Sequence, residues 1–171
     1  DESKWLEKRF AIPDEPYERV VRIADKLKEK LGVYDALEKM SIKKFVKLYA
    51  GEFFETLNDA YGHLDGYVPV VGDAQKNVLD QFATIINKRY ACILMDKDDK
   101  VAAFGIVLPS ICDPLIKHKG KLFPTGFIGV LKSKVRPKEL EMALIGVKKK
   151  YKNTLAAQLH IPSFIGALID G

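Results

Sequence analysis

Apolar positions recur with a helical period through the first half of the chain. Residues 16–31 form one such stretch, which Asp14 can cap and Gly32 can end. Two further stretches begin at the helix-start residues Ser41 and Asp73. The pattern predicts three amphipathic helices, and we interpret their apolar stripes as core positions. The stripes consist of Val20, Ala24, Leu27 and Leu31, then Ile42, Phe45, Tyr49, Phe53 and Leu57, then Val78, Leu79, Phe82, Ile85 and Ile86.

The period changes in the second half of the chain. Two apolar runs around a short charged segment indicate a β-hairpin, and a later alternating run indicates a further strand. The predicted elements are a short strand over 33–37, a hairpin of 90–95 and 101–108 around the turn 96–100, a short helix over 122–131, a strand over 139–147, and a helix over 154–169 interrupted at Pro162. The order of strand, two helices, hairpin, strand and helix predicts a mixed α/β domain.

Length and composition restrict the class of protein. A chain of 171 residues with 47% apolar content fits one compact domain. No run approaches the roughly 18 apolar residues that a membrane helix needs, and no secretory signal is present, so we expect no membrane partner. The two cysteines, Cys92 and Cys112, are too few for a disulfide framework, and the reducing cytoplasm fits best. His63, His118 and His160 fall in separate segments, and we predict no metal site.

The segment 144–157 is the strongest candidate for a functional site. An apolar alternating run leads into Lys148, Lys149 and Lys150, then Tyr151, and then small residues that open a helix. Backbone N–H groups at a helix start, with lysines beside them, suit a pyrophosphate. The net charge of +5 is mild, and its basic residues concentrate over 117–152. Lysine-rich surfaces are more often simply solvated than ligand-binding.

Four segments, in the correct order, resemble the GNAT superfamily of N-acetyltransferases. In that family a strand leads into a tyrosine and then Q/R-x-x-G-x-G/A; here Lys152 stands at the Q/R position, Ala157 at the last small residue, and Leu155 where the first glycine belongs. Residues 58–69 resemble the N-x-A-W-x-x-N-W-G-F-V-P segment of a bacterial subgroup. The matches there are Asn58, Ala60, Gly66, Val68 and Pro69, with Tyr61 and Tyr67 as aromatic replacements and Leu64 and Asp65 as departures. The hairpin and the segment 119–127 complete the resemblance, which covers about residues 33–165.

The resemblance implies a GNAT-like α/β fold, an acyl-CoA N-acyltransferase with a mixed sheet flanked by helices. Residues 1–32 would be an N-terminal helical arm, and 33–171 a partial GNAT-like domain whose C-terminal strands are missing. The strand 139–147 would then keep one unpaired edge, and such an edge invites pairing with a second copy of the chain. We therefore expect a homodimer formed through this edge or through exchanged elements.

The resemblance also implies acetyl-CoA as donor, an amine as acceptor, and a strand N–H that polarises the thioester carbonyl. Glu139 and Glu141, two apart on a strand and so on one face, could hold a catalytic base, although exposed carboxylates near a strand start are common. The implied cofactor-binding residues are Ile145, Gly146, Val147, Lys152, Asn153, Thr154, Leu155, Ala156 and Ala157. Because Leu155 places a branched side chain where the family has glycine, and Asn153 replaces a second small residue, we predict weak or absent acetyl-CoA binding and little activity.

Two other functions remain open. One is a catalytically inactive relative that keeps the GNAT fold as a binding or scaffolding module. The other is a nucleic-acid binder that uses the basic surface over 117–152, which is less favoured because no aromatic stacking platform or reading motif accompanies the lysines.

Overall fold

The computed structural model describes residues 18–82, 86–110 and 139–152. These residues form a four-stranded sheet with strand order β1-β2-β3-β4, in which every neighbouring pair is antiparallel. The helices are α1 (Glu18–Leu31), α2 (Ala36–Lys39), α3 (Ile42–Tyr61) and α4 (Asp73–Phe82), and the strands are β1 (Tyr34–Asp35), β2 (Ala91–Met95), β3 (Val101–Pro109) and β4 (Leu140–Val147). Single 3₁₀ turns cover Lys88–Tyr90 and Lys149–Tyr151. The mixed α/β class predicted from the sequence is confirmed.

The predicted helix boundaries follow from local capping. The Ser41 hydroxyl accepts a hydrogen bond from the Lys44 N–H at 3.2 Å and so begins α3. Gly32 ends α1 with a φ of +64°, which is a left-handed conformation that glycine adopts without strain. The start of the first helix at Asp14, and the predicted helices over 122–131 and 154–169, lie outside the described residues.

The first strand is much shorter than predicted. The sequence indicated a strand over 33–37, whereas β1 has two residues and α2 begins directly after it. The cause is the Asp35 carboxylate, which accepts a hydrogen bond from the Leu37 N–H at 2.9 Å and caps α2. The same oxygen accepts from the Ile93 N–H of β2 at 3.2 Å, so the capping residue also binds the start of α2 to the sheet.

The hairpin of β2 and β3 is confirmed, and its turn has a defined geometry. The Asp96 N–H donates to the Lys100 carbonyl at 2.8 Å, and the Asp99 N–H donates to the Asp96 carbonyl at 3.1 Å. Asp99 has a φ of +55°, as expected for the left-handed residue that completes a three-residue hairpin loop. The Tyr34 hydroxyl donates to the Asp99 carboxylate, and this bond raises the pKa of Tyr34 to about 12.

The sheet is buried on both faces. On one face α3 packs through Phe53, Phe54 and Leu57 against Ile93, Phe104 and Ile106. On the other face Ala24 of α1 packs near Cys92, Leu94, Ala103 and Val107. Burial raises the pKa of the Cys92 thiol well above its usual value, which suits a core residue.

β4 stands at the end of the described sheet and contains a β-bulge. Ile106 pairs with Leu144, whereas Val107 pairs with Met142, so Ala143 has no partner in β3. An extra residue of this kind shifts the alternation of side chains on either side of it. Leu144 and Gly146 therefore lie on the α3 face, while Ile145 and Val147 lie on the α1 face.

Candidate functional site at the edge of β4

The backbone of Ile145 is held by a side chain from α3. Its N–H donates to the Tyr61 hydroxyl oxygen at 3.2 Å, and that hydroxyl donates to the Ile145 carbonyl at 2.9 Å. Ile145 lies opposite Gly105 of β3, and both of its backbone polar groups point away from that strand. The Tyr61 hydroxyl therefore occupies the position that the backbone of a further strand would take.

A close approach of α3 to β4 makes this contact possible. A Cβ added at Gly146 would lie 2.8 Å from Cε1 of Phe104, closer still to its Cζ, and 3.1 Å from the Cβ of Ala60. Only glycine leaves room at this position for the phenyl ring and for the helix. Ala60 and Gly146 are the direct neighbours of Tyr61 and Ile145, so their packing brings the hydroxyl within reach of the strand.

The loop after α3 is closed by Asn58. Its side-chain amide donates to the Val70 carbonyl at 3.1 Å, and its Oδ1 accepts from the Val70 N–H at 2.9 Å and from the Tyr67 hydroxyl at 2.7 Å. This arrangement places the Tyr67 ring beside the Tyr61 ring, with centroids 5.9 Å apart. Three members of the segment 58–69 thus act together, and they support the tyrosine that contacts β4.

We expect Asn58→Ala to destabilise the protein by about 1–3 kcal/mol, because it removes the partner of the Val70 N–H and of the Tyr67 hydroxyl. The Val70 carbonyl keeps its second donor, the Gln75 amide at 3.1 Å. The matched control is Asn77→Ala on the exposed face of α4, which should change stability by less than about 0.5 kcal/mol. Urea unfolding of both variants measures the difference. Equal effects would show that the Asn58 network adds nothing to the fold.

The three lysines after β4 are engaged with carboxylates. Lys148 Nζ lies 2.8 Å from Glu55 Oε1, Lys149 Nζ lies 3.7 Å from Asp59 Oδ1, and Lys150 Nζ lies 3.1 Å from Asp96 Oδ2. The hydrogen bond and charge of Lys148 lower the pKa of Glu55. The Lys149 N–H also donates to Asp59 Oδ2 at 2.6 Å. The charges predicted to attract a phosphate are therefore paired with α3 and the hairpin turn.

Asp96 lies at the centre of the hydrogen bonds that connect the hairpin turn to the segment after β4. Its Oδ1 accepts from the N–H groups of Asp98 and Lys100 at 2.9 and 3.0 Å, and its Oδ2 accepts from the Tyr151 hydroxyl at 2.6 Å and from Lys150. Although burial raises the pKa of Asp96, these hydrogen bonds outweigh it and lower the pKa to about 2. The hydroxyl of Tyr151 is thus bound to the hairpin turn.

The structure brings together only some of the predicted site residues. Ile145, Gly146 and Val147 form the edge beside Tyr61, and Lys152 is exposed in the turn that follows. Glu139 and Glu141 are exposed at the far end of β4, where Glu141 lies opposite Leu108. The rise of a strand separates Glu141 from Ile145 by roughly 10–13 Å, so the two do not share one small site. Residues 153–157 lie outside the described residues.

Two residues of this region were missed by sequence reasoning. Tyr61 was interpreted only as an aromatic replacement, and nothing in the local pattern indicates that its hydroxyl reaches a residue 84 positions away. Asp96 was interpreted as part of a polar turn. Aspartate at the start of a turn commonly binds the backbone two residues later, and that signal was present.

An apolar cavity lies on the α3 face of the sheet. It holds about 650 Å³ of empty space, part of it open to solvent, between α3, α4 and the strands. Its described lining includes Phe45, Phe53, Leu79, Ile106 and Leu144, and every described lining residue is apolar. Leu144 connects the cavity to the edge, because the next residue is Ile145.

Within residues 18–82, 86–110 and 139–152 the structure shows neither a membrane-spanning helix nor a cluster of metal ligands. None of the helices in that part is both long enough and apolar enough to cross a membrane. The same ranges contain no cluster of three His, Cys, Asp or Glu side chains that could hold a metal ion.

Comparison with known proteins gives a distant similarity. Neither a protein-family model nor a solved structure matches this chain. The chain is similar to a bacterial ceramide synthase of Caulobacter vibrioides, with 28% identity over 102 residues, which cover 58% of this chain and 26% of that protein. The chain thus spans about a quarter of the length of the curated relative that it matches.

Proposed function

We propose that this chain forms part of a GNAT-like N-acyltransferase, which transfers an acyl group from a coenzyme A thioester to an amine. The observation that carries the proposal is the outward-facing backbone of Ile145 at the edge of β4. An N–H group in that position can hold the carbonyl oxygen of a thioester and stabilise the negative charge that develops when an amine attacks. The described order of strand, helices, hairpin and strand also supports the proposal, since it follows the predicted order with α2 as an added short helix.

The distant relative supports the reaction class. A ceramide is the amide of a fatty acid and a long-chain amine, so a ceramide synthase forms the kind of bond that the proposal requires. The apolar cavity beside Leu144 gives further support, because its lining suits the hydrocarbon part of an acyl group or of an amine. We extend the proposal to acceptors that carry an aliphatic chain, in the reducing cytoplasm.

In the reaction the amine nitrogen would attack the thioester carbonyl carbon, the carbon–sulfur bond would break, and coenzyme A would leave as the thiol. The described residues fit the thioester better than the phosphates. The Ile145 N–H is bound only by the hydroxyl of a half-buried tyrosine, whereas Lys148, Lys149 and Lys150 are paired with full charges on carboxylates. Binding of the pyrophosphate would therefore depend on the segment 152–157.

Titration with acetyl-CoA tests the proposal. We expect the unaltered protein to bind weakly or not at all, and Leu155→Gly combined with Asn153→Gly to tighten binding at least tenfold, because each regained charge-assisted N–H bond is worth about 1.5–3 kcal/mol. Leu48→Gly removes an exposed leucine of α3 and should leave binding unchanged. Calorimetry gives the affinity, and release of the free thiol with amines of increasing chain length gives the activity.

Two results would contradict this prediction. Low-micromolar binding by the unaltered protein would show that Leu155 does not stand at the family's first glycine. Absence of binding and of thiol release in every variant would remove the acyltransferase proposal itself.

A non-catalytic binding or scaffolding module is the second candidate. It is favoured by the pairing of the three lysines and by the Tyr61 hydroxyl, which already occupies the Ile145 N–H. Acetyl-CoA binding by the double variant without any thiol release in the presence of amines would select this function.

A further inference from the structure

We propose that Tyr61 is a gate, whose hydroxyl competes with the carbonyl oxygen of an acyl-CoA thioester for the N–H of Ile145. The inference rests on the proposed function and concerns access to the same site. In the structure the hydroxyl satisfies both outward-facing backbone groups of Ile145, at 3.2 and 2.9 Å. A thioester that uses this N–H must displace the hydroxyl first.

The geometry shows that the Tyr61 hydroxyl competes with the thioester for the Ile145 N–H. A backbone N–H has one hydrogen, and here it is directed at the phenol oxygen. The phenol in turn uses its own hydrogen on the Ile145 carbonyl. With both backbone groups of Ile145 bound, the edge of β4 is closed at this residue. The apparent affinity for acyl-CoA is then the intrinsic affinity multiplied by the fraction of molecules in which the edge is open.

Tyr61 lies at the margin of the core, where it packs against the core cluster without being fully buried. It is the last residue of α3, and its side chain is only half-buried. A rotation of the side chain moves the hydroxyl from the strand into water, where its hydrogen bonds are replaced. The helix end itself stays in place, because Ala60 packs on Gly146 and the Gly62 N–H donates to the Asn58 carbonyl at 2.8 Å.

The neighbouring Tyr67 ring holds the Tyr61 side chain in its position at the strand edge. Tyr67 lies beside Tyr61, and its hydroxyl is fixed by Asn58 at 2.7 Å. The Tyr67 ring thus limits the rotation of Tyr61 on the loop side. A ligand that moved the loop over 62–72 would change how often the edge is open.

The test is Tyr61→Phe, which removes the hydroxyl and keeps the ring that contacts Tyr67. The matched control is Tyr49→Phe, also on α3, whose ring stacks on Phe45 and, like the ring of Tyr61, packs half-buried against the core cluster. Both are made in the unaltered protein and in the Leu155→Gly, Asn153→Gly background. We expect Tyr61→Phe to tighten acetyl-CoA binding by roughly three- to thirtyfold, the range that corresponds to one or two freed hydrogen bonds, and Tyr49→Phe to leave it unchanged.

Amide hydrogen exchange of Ile145 without ligand is the second measurement. Tyr61→Phe should raise the exchange rate of this amide about tenfold, while the amide of Leu144 stays protected. Faster exchange together with tighter binding supports the gate. Unchanged exchange at Ile145 overturns it, because the hydroxyl then does not hold the strand edge in solution.

The remaining outcomes separate the gate from the proposed function. Equal acetyl-CoA affinity with and without the hydroxyl overturns the gate and leaves the proposed function intact. Weaker binding by Tyr61→Phe also overturns it, since the hydroxyl would then contact the donor. If Tyr61→Phe self-associates without any gain in binding, the hydroxyl protects the edge from strand pairing, and the gate is again wrong. Absence of acetyl-CoA binding in every variant overturns both.

Discussion

Gly146→Ala should destabilise the protein by about 1–3 kcal/mol, although it adds a single methyl group. That methyl would lie 2.8 Å from Cε1 of Phe104 and 3.1 Å from the Cβ of Ala60. Phe104 is fully buried and has Phe53 beside it at 4.8 Å between ring centroids, so its ring has little room to move away. Relief requires α3 to shift from β4, which would also separate Tyr61 from Ile145.

Gly51→Ala is the matched control, because the same substitution at that position should raise the stability of the protein. Gly51 is exposed within α3, and an added Cβ meets nothing within 4 Å. Alanine in a helix interior is favoured over glycine by roughly 0.5–1 kcal/mol, so this variant should be more stable than the unaltered protein. Urea unfolding compares the two. A neutral Gly146→Ala would mean that helix and strand are not in close contact at this point.

Asp96→Asn should cost about 2–4 kcal/mol, because it removes a buried charge that four donors surround. The donors are the N–H groups of Asp98 and Lys100, the Tyr151 hydroxyl and the Lys150 ammonium. An amide offers one oxygen in place of two and turns two hydrogens toward existing donors. Asp98→Asn, in the same turn but with an exposed carboxylate, should be near neutral.

The contribution of Asp96 should also depend on pH. Its pKa falls from the usual 3.8 to about 2 in the folded protein, so the ionised form is stabilised by folding. This stabilisation is complete above pH 3.8 and is lost as the pH falls toward 2. Unfolding free energies measured over this range should show the gap between the unaltered protein and Asp96→Asn closing at low pH. A gap that stays constant would contradict the assignment.

The helices and the hairpin could be predicted because their signals are local. The signals are Ser41, Gly32 and the two apolar runs around the charged turn. They act on residues within a few positions, and each has its predicted effect. The length of β1 was predicted wrongly although its cause is also local, because Asp35 caps α2 through the Leu37 N–H two residues later. Only the second bond of Asp35, from the Ile93 N–H 58 residues later, has no local signal. The bulge at Ala143 could not be predicted either, because residues 142–145 are all apolar and show no alternation that an extra residue would interrupt.

The sequence predicted where the candidate site lies, but it did not predict which of its groups are free to bind a ligand. The end of β4 was identified from its lysines, yet the carboxylates that pair with Lys148 and Lys150 lie 93 and 54 residues away. Whether a lysine is available to a phosphate depends on the fold and not on the charge count. Tyr61 illustrates the same limit, because an aromatic residue at a helix end carries no sign of the strand edge that it reaches.

The bulge in β4 also determines how this strand must be aligned with those of other proteins. A sequence without the extra residue would need a one-residue gap at Ala143. An ungapped alignment would pair positions from opposite sides of the sheet, because a shift of one residue exchanges the two faces of a strand. When Glu139 and Glu141 are compared with a strand that lacks the bulge, the equivalence therefore holds only if the gap is placed at Ala143.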